Sequence, residues 1–173
     1  PQDKSEPRYA VMLNALTVCG LYAKERGITL AIETGPERAK TLKAFLDDTK
    51  GGVGVNLDPA NFVMVTGQDP VEAVYLLKDY IVHTHAKDGV RLKENDALTV
   101  YHAFAIGGVE ALEVCEGFKE VPLGEGSVNW STYLNALKDI GYNGFLTIER
   151  ETGNNPAKDI ILAATFLREL QIL

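Results

Sequence analysis

Four short apolar runs, each closed by a side chain that can ligate a metal, constrain this chain more than any other feature. Ile28–Glu33 reads ITLAIE, Val53–Asp58 reads VGVNLD, Tyr80–His85 reads YIVHTH and Phe145–Glu149 reads FLTIE. Each is of strand length, and stretches with helical spacing lie between them. Pro7 to Arg26 carries Val11, Leu13, Ala15, Leu16, Val18 and Cys19 as a broad apolar stripe and stops at Gly27. Pro36 stands in a first helical turn, and Ala39, Leu42, Phe45 and Leu46 keep helical spacing up to Lys50. After the break at Gly51-Gly52, Asp69-Pro70-Val71-Glu72 has the form of a capping box with proline just inside the helix, ahead of Val74 and Leu77. Trp130, Tyr133, Leu134 and Leu137 form a further stripe ended by Gly141, and Pro156 opens a last helix carrying Ile160, Ala163, Ala164, Leu167 and Leu170.

Apolar strands that alternate with amphipathic helices specify an α/β fold, a parallel sheet covered by helices. An open doubly wound sheet and part of a closed barrel both satisfy the pattern. No GxGxxG follows a strand, so the dinucleotide-binding version lacks its main signal. The stretch from Asp88 to Gly126 breaks the rhythm and reads as a long irregular insertion, with a short helix around Asn95–Phe104. It is far longer than ordinary βα loops, which suits a lid over a site or a subunit contact. The whole, residues 1–173, reads as one domain.

In a parallel sheet every carboxyl end points the same way. Glu33, Asp58, His85 and Glu149 therefore gather at one face, the face on which barrel enzymes carry their sites. Any one of them alone is an ordinary loop or capping residue. Four together, with no basic residue among them, form an anionic cluster whose carboxylates repel and raise one another's pKa values. A divalent cation relieves that repulsion. Three carboxylates and one imidazole form a hard, oxygen-rich set suited to Mn²⁺ first, with Mg²⁺, Co²⁺ or Zn²⁺ as substitutes.

Composition narrows the class. The 173 residues are 46% apolar and 24% charged, as in ordinary globular chains, and carry a net charge of −7. Scattered Lys and Arg in an acidic chain argue against a partner bound by phosphate neutralisation, so no nucleic acid is expected. No apolar run approaches the ~20 residues that span a bilayer, and no signal peptide is visible. Cys19 and Cys115 lie far apart outside any CxxC pair, which fits two reduced thiols in a cytoplasmic protein. The chain opens on Pro1 and runs at once into helical sequence, as a processed product or a piece of a longer protein would.

IETG, NLDPAN, HTHAKD, PLGEGSVNW and LTIERE, in this order, resemble the sugar phosphate isomerase/epimerase group of the xylose isomerase-like TIM-barrel superfamily. That group includes ketose 3-epimerases, hydroxypyruvate isomerase and inosose dehydratase. The resemblance implies a parallel (β/α) barrel of which this chain covers four βα units, equivalent to strands five to eight. It implies one divalent cation on Glu33, Asp58, His85 and Glu149, with Glu33 and Glu149 also serving as the acid–base pair. The implied reaction on a sugar or sugar phosphate is proton abstraction beside a carbonyl through an enediolate. The alternatives are an inosose-type dehydratase, or a non-catalytic metal- or ligand-binding fragment of a barrel. His83 shares a face with His85, Lys87 follows the histidine strand, and Asn61 stands where several relatives place histidine. These three are the candidate substrate-binding residues. Asn61 and the acidic charge both count against the multi-zinc DNA-repair branch. Arg150 should point away from Glu149 into a structural ion pair, Glu125 reads as a solvated loop charge and Trp130 as core. Bare sheet edges favour pairing, either between copies or with the missing half of the barrel.

Overall fold

The computed structural model describes residues 3–94, 96–113 and 116–170, so Cys115 and Asn95 lie outside it. Four strands, β1 (Leu30–Glu33), β2 (Val53–Leu57), β3 (Ile81–Ala86) and β6 (Leu146–Ile148), form a parallel sheet in that order. Helices α1 (Pro7–Lys24), α2 (Ala39–Asp48), α4 (Pro70–Leu77), α6 (Trp130–Asp139) and α7 (Pro156–Glu169) accompany it. A short turn, α3 (Pro59–Asn61), continues into a π-helical segment, Phe62–Thr66. The sheet is open among the described residues, with β1 and β6 at its edges. No described helix is long and apolar enough to cross a membrane.

The helix starts follow local chemistry. The helix expected from Pro36 begins at Ala39, whose N–H is taken by the Gln68 Oε1 of another loop at 3.0 Å. Asp69 caps α4 by accepting from Val71 N at 2.9 Å, but Glu72 accepts from the Gln68 amide instead of closing the box on the backbone. Leu42 and Leu46 of α2, Val74 and Leu77 of α4, and Tyr133, Leu134 and Leu137 of α6 pack against Val55 and Leu57 of β2 in one core. The expected stripe on α1 is not buried: Val11 and Val18 are 68% and 60% exposed. This helix meets the sheet beside β1 and β2. Its buried residues are Tyr9, whose hydroxyl donates to Asp48 Oδ2 at 2.6 Å, and Gly20, seated on Gly51-Gly52. Phe145 likewise lies outside β6 and is exposed.

Strands β2 and β3 slip register by a bulge. Val55 pairs with Ile81, but Asn56 pairs with His83 and Leu57 with Thr84, so Val82 is the extra residue. Gly54 accommodates it, since a Cβ there would stand 2.9 Å from Val82 Cγ2 and from the Tyr80 carbonyl oxygen.

The described residues of the stretch expected to be irregular form regular elements. Strands β4 (Asp88–Arg91) and β5 (Phe118–Val121) pair antiparallel, Asp88 opposite Val121, and α5 (Ala97–Glu113) links them with a break at Gly108. Short, charged strands such as DGVR and FKEV carry no apolar run, which hides them from periodicity. The hairpin is anchored by the buried Asp88. Its Oδ1 accepts from Gly89 N (2.8 Å) and Val128 N (3.2 Å). Its Oδ2 accepts from Gly124 N (3.0 Å), Gly126 N (3.2 Å) and Trp130 Nε1 (2.9 Å). A side chain at Gly126 would strike the same carboxylate.

Two outcomes follow. Gly52→Ala meets the Gly20 carbonyl and also adopts a positive φ, whereas Gly27→Ala has the positive φ and open space. Urea unfolding should show Gly27→Ala losing ~1–2 kcal/mol and Gly52→Ala clearly more; equal losses would deny the close approach. Asp88→Asn turns an amide donor on buried donors and should cost ~3 kcal/mol. Trp130 is the only tryptophan, so its emission should shift to the red as the 124–128 turn detaches.

Candidate metal centre

Each ligand-type side chain stands where a strand runs out. Glu33 is the last residue of β1, and Asp58 follows β2 as the N-cap of α3. Asp58 Oδ1 accepts from Ala60 N at 2.8 Å and Asn61 N at 3.2 Å, the ordinary work of a cap. Thr34 clamps the first two strand ends together: its Oγ1 accepts from Asp58 N (2.8 Å) and donates to Asp58 O (3.1 Å). His85 lies within β3, and Glu149 follows β6 with its N–H on Ala86 O at 3.1 Å.

The structure brings all four together. One ligand atom from each of Glu33, Asp58, His85 and Glu149 lies within 4.8 Å of the others. His85 Nδ1 is the hub, 3.2 Å from Glu149 Oε2, 3.5 Å from Glu33 Oε1 and 3.6 Å from Asp58 Oδ2. Asp58 Oδ2 and His85 Nδ1 are nevertheless buried without a hydrogen-bond partner. Two orphaned donor atoms aimed into one carboxylate-rich space fit a small, hard cation, and the donor set matches Mn²⁺ or Mg²⁺.

Electrostatics bear the strain of the arrangement. Burial works to lower the His85 pKa, but the carboxylates of Asp58, Glu149 and Glu33 outweigh it and lift the ring to about 11. His85 and then Lys87, working against burial, hold Glu149 down at about 2. Burial dominates at Asp58 and pushes its carboxyl up, although His85 and Lys87 oppose it.

The remaining expectations divide. Lys87 is buried, with Nζ 3.0 Å from Glu149 Oε2 and in close contact with Glu151 Oε2. Burial disfavours its charge, yet Asp58, Glu151 and Glu149 raise its pKa, so it stays an ammonium. Asn61 Nδ2 donates to Thr34 O at 2.8 Å, and His83 Nε2 meets Thr147 Oγ1 at 2.8 Å beside the His85 ring. Asn61 and Lys87 line the cleft beside the cluster, and His83 does not. Arg150 points away into a buried pair with Glu120 (2.7 Å) and Asp159 (2.9 Å), as the sequence suggests. Trp130 is core and Glu125 is an exposed cleft residue. Sequence reasoning missed Thr34, Glu151 and Asn56, whose Nδ2 stands 2.9 Å from His85 Nε2. Asn56 precedes Asp58 by two residues, and the strand's period of two would have placed it on that face.

The cleft is open and of about 770 Å³. Glu33, Glu149, Lys87 and Glu151 are among its polar lining, and Val100, Tyr101 and Phe104 of α5 with Phe118 of β5 are among its apolar lining.

Known proteins share this arrangement of chain. An inosose dehydratase from Clostridium perfringens is 23% identical over 172 residues, 95% of this chain and 56% of the relative. A xylose isomerase domain protein from Planctomyces limnophilus superposes with a TM-score of 0.75 at 29% identity, covering 98% of this chain and 54% of that one. A D-allulose 3-epimerase from Methylomonas sp., solved with D-allulose, shares the fold at a TM-score of 0.67 and 17% identity, over 95% of this chain and 56% of its own. The chain thus spans about half the length of the curated relatives it matches over nearly its whole extent. The pattern of one family covers residues 1–170, and by it this chain belongs to the xylose isomerase-like TIM barrels.

Proposed function

We propose that this chain carries the metal-binding half of a sugar or sugar phosphate isomerase or epimerase, with Glu33 and Glu149 as its acid–base pair. One observation carries the reading. Of the four clustered side chains, Asp58 is sealed from solvent and His85 nearly so, whereas the Glu33 and Glu149 side chains are 47% and 26% exposed and line the cleft. Only those two reach a substrate and the cluster at once. They stand at the ends of β1 and β6, the two edges of the four-stranded sheet, and so flank whatever lies across it.

Glu33, Asp58, His85 and Glu149 would hold the cation. When bound, a divalent cation supplies Lewis-acid polarisation of a carbonyl, which acidifies the neighbouring C–H. One glutamate takes that proton as general base, leaving the substrate as an enediolate, and the other returns a proton. Return to the opposite face of the same carbon gives an epimer; return to the adjacent carbon, with the hydroxyl proton passing to the former carbonyl oxygen, gives an isomer. Lys87 keeps Glu149 ionised and oriented, and its place in the cleft wall makes it, with Asn61, a candidate contact for a substrate oxygen. His83 supports the ring of His85 from the same face. The rest of a barrel, from a longer chain or a second copy, would cover the edges of β1 and β6 and close the cleft.

A second reading has its own support, since the curated relative from Clostridium perfringens is a dehydratase. Dehydration shares the first proton abstraction and then expels water. Mass spectrometry of the product separates the two: an isomerase or epimerase conserves substrate mass, a dehydratase loses one water. In a full-length enzyme, Glu149→Gln should lower turnover by ~10²–10⁴-fold while some Mn²⁺ binding survives; near-normal turnover would refute the acid–base role. Chelation should abolish activity and Mn²⁺ or Mg²⁺ restore it. Turnover untouched by a chelator would leave the four-residue cluster without its cation.

A further inference from the structure

His85 is held by its two ring nitrogens in opposite ways. Nδ1 faces the carboxylates of Glu33, Asp58 and Glu149. Nε2 faces the side-chain amide of Asn56, 2.9 Å from Nδ2. Asn56 reaches it because the bulge pairs Asn56 with His83, which puts the amide and both histidines on one side of the sheet.

A cation held among those carboxylates would take the lone pair of Nδ1. The ring proton must then sit on Nε2, since a neutral imidazole has one N–H and one lone pair. Nε2–H becomes a buried donor, and Asn56 is the side chain placed to meet it. With Nδ2 toward the ring, the amide offers a donor where an acceptor is needed, and Asn56 Oδ1 is left buried without a partner. A half-turn about the last torsion exchanges Oδ1 and Nδ2 at the same two positions and moves nothing else. Oδ1 then stands at hydrogen-bond distance from Nε2. Three buried side-chain atoms lack partners among the described residues, namely Asn56 Oδ1, Asp58 Oδ2 and His85 Nδ1. A cation would engage two of them, and the half-turn would give Oδ1 its partner in Nε2–H while setting Nδ2 at the position Oδ1 leaves.

We infer that Asn56 is a positioning residue, whose Oδ1 accepts from His85 Nε2–H and thereby fixes the tautomer and ring plane that turn the Nδ1 lone pair on the cation. The inference rests on the cation reading above and assigns a role to a residue outside the ligand set. Partners behind metal-bound histidines are commonly worth 10–100-fold in metal affinity.

The test compares the wild-type chain with Asn56→Leu, similar in volume without an acceptor, and Asn56→Asp, which keeps one. Mn²⁺ binding is measured by electron paramagnetic resonance of the free ion, and folding by circular dichroism. Asn56→Leu should bind Mn²⁺ ~10–100-fold more weakly, and Asn56→Asp should return to within a few-fold of wild type or bind more tightly. In parallel, ¹⁵N-histidine-labelled wild-type chain loaded with diamagnetic Mg²⁺ should show the His85 proton on Nε2 in long-range ¹H–¹⁵N spectra. This readout needs no variant to fold. A proton on Nδ1, wild-type affinity in Asn56→Leu, or no rescue in a folded Asn56→Asp overturns the role of Asn56 and leaves the cation reading standing. A wild-type chain that takes up neither Mn²⁺ nor Mg²⁺ overturns both.

Discussion

Three carboxylates crowd one buried imidazole at the end of a parallel sheet, and the rest of the structure is arranged around holding them there. Without a counter-charge such a cluster expels itself, since each added anion raises the cost of the next. The chain answers with two positive groups of its own, His85 and Lys87, both buried and both held in the charged form by the carboxylates they neutralise. The two have different partners. Lys87 ties Glu149 to Glu151 at the margin of the cleft, whereas His85 sits at the hub, where a cation would displace its proton. On the proposed reading a cation would exchange with that proton, and the same four side chains would serve in both conditions.

Backbone devices keep the strand ends in place beneath that charge. Thr34 links β1 to the residue after β2, the cap at Asp58 aims one oxygen into α3 and leaves the other toward His85, and Arg150 with Glu120 pins the residues beyond β6. None of these contacts touches the cluster centre. Each fixes the backbone from which a ligand projects, which is how a site built on strand ends gains precision without rigid ligands of its own.

Much of this was legible in the residues. The four clustered side chains could be read because each closes a mainly apolar run, and a parallel sheet sends every such end to one face. Helices α2, α4 and α6 were legible for the same reason: their stripes at Leu42, Leu46, Val74, Leu77, Tyr133 and Leu137 meet the sheet and are buried. Helix α1 was legible as a helix but not as packing, because no described element covers Val11 and Val18. The hairpin of β4 and β5 escaped notice because its stability lies in a hydrogen-bonded carboxylate and glycine turns, not in apolar periodicity. Asn56 escaped because a single polar residue within an apolar strand looks like noise until its neighbour across the sheet is known.

The bulge at Val82 shows how far one residue can reach. Side chains alternate along a strand, and Ile81 pairs with the core-facing Val55. A regular strand would carry His83 and His85 on that same side, under the helices. The extra residue moves the phase by one step, so that both imidazoles emerge on the opposite surface, level with Asn56 and Glu33. Deleting one residue there would leave composition, hydrophobicity and every motif nearly intact while turning the chemistry inside out. In this chain the spacing between the apolar run and its terminal histidine constrains the site as strictly as the histidine itself.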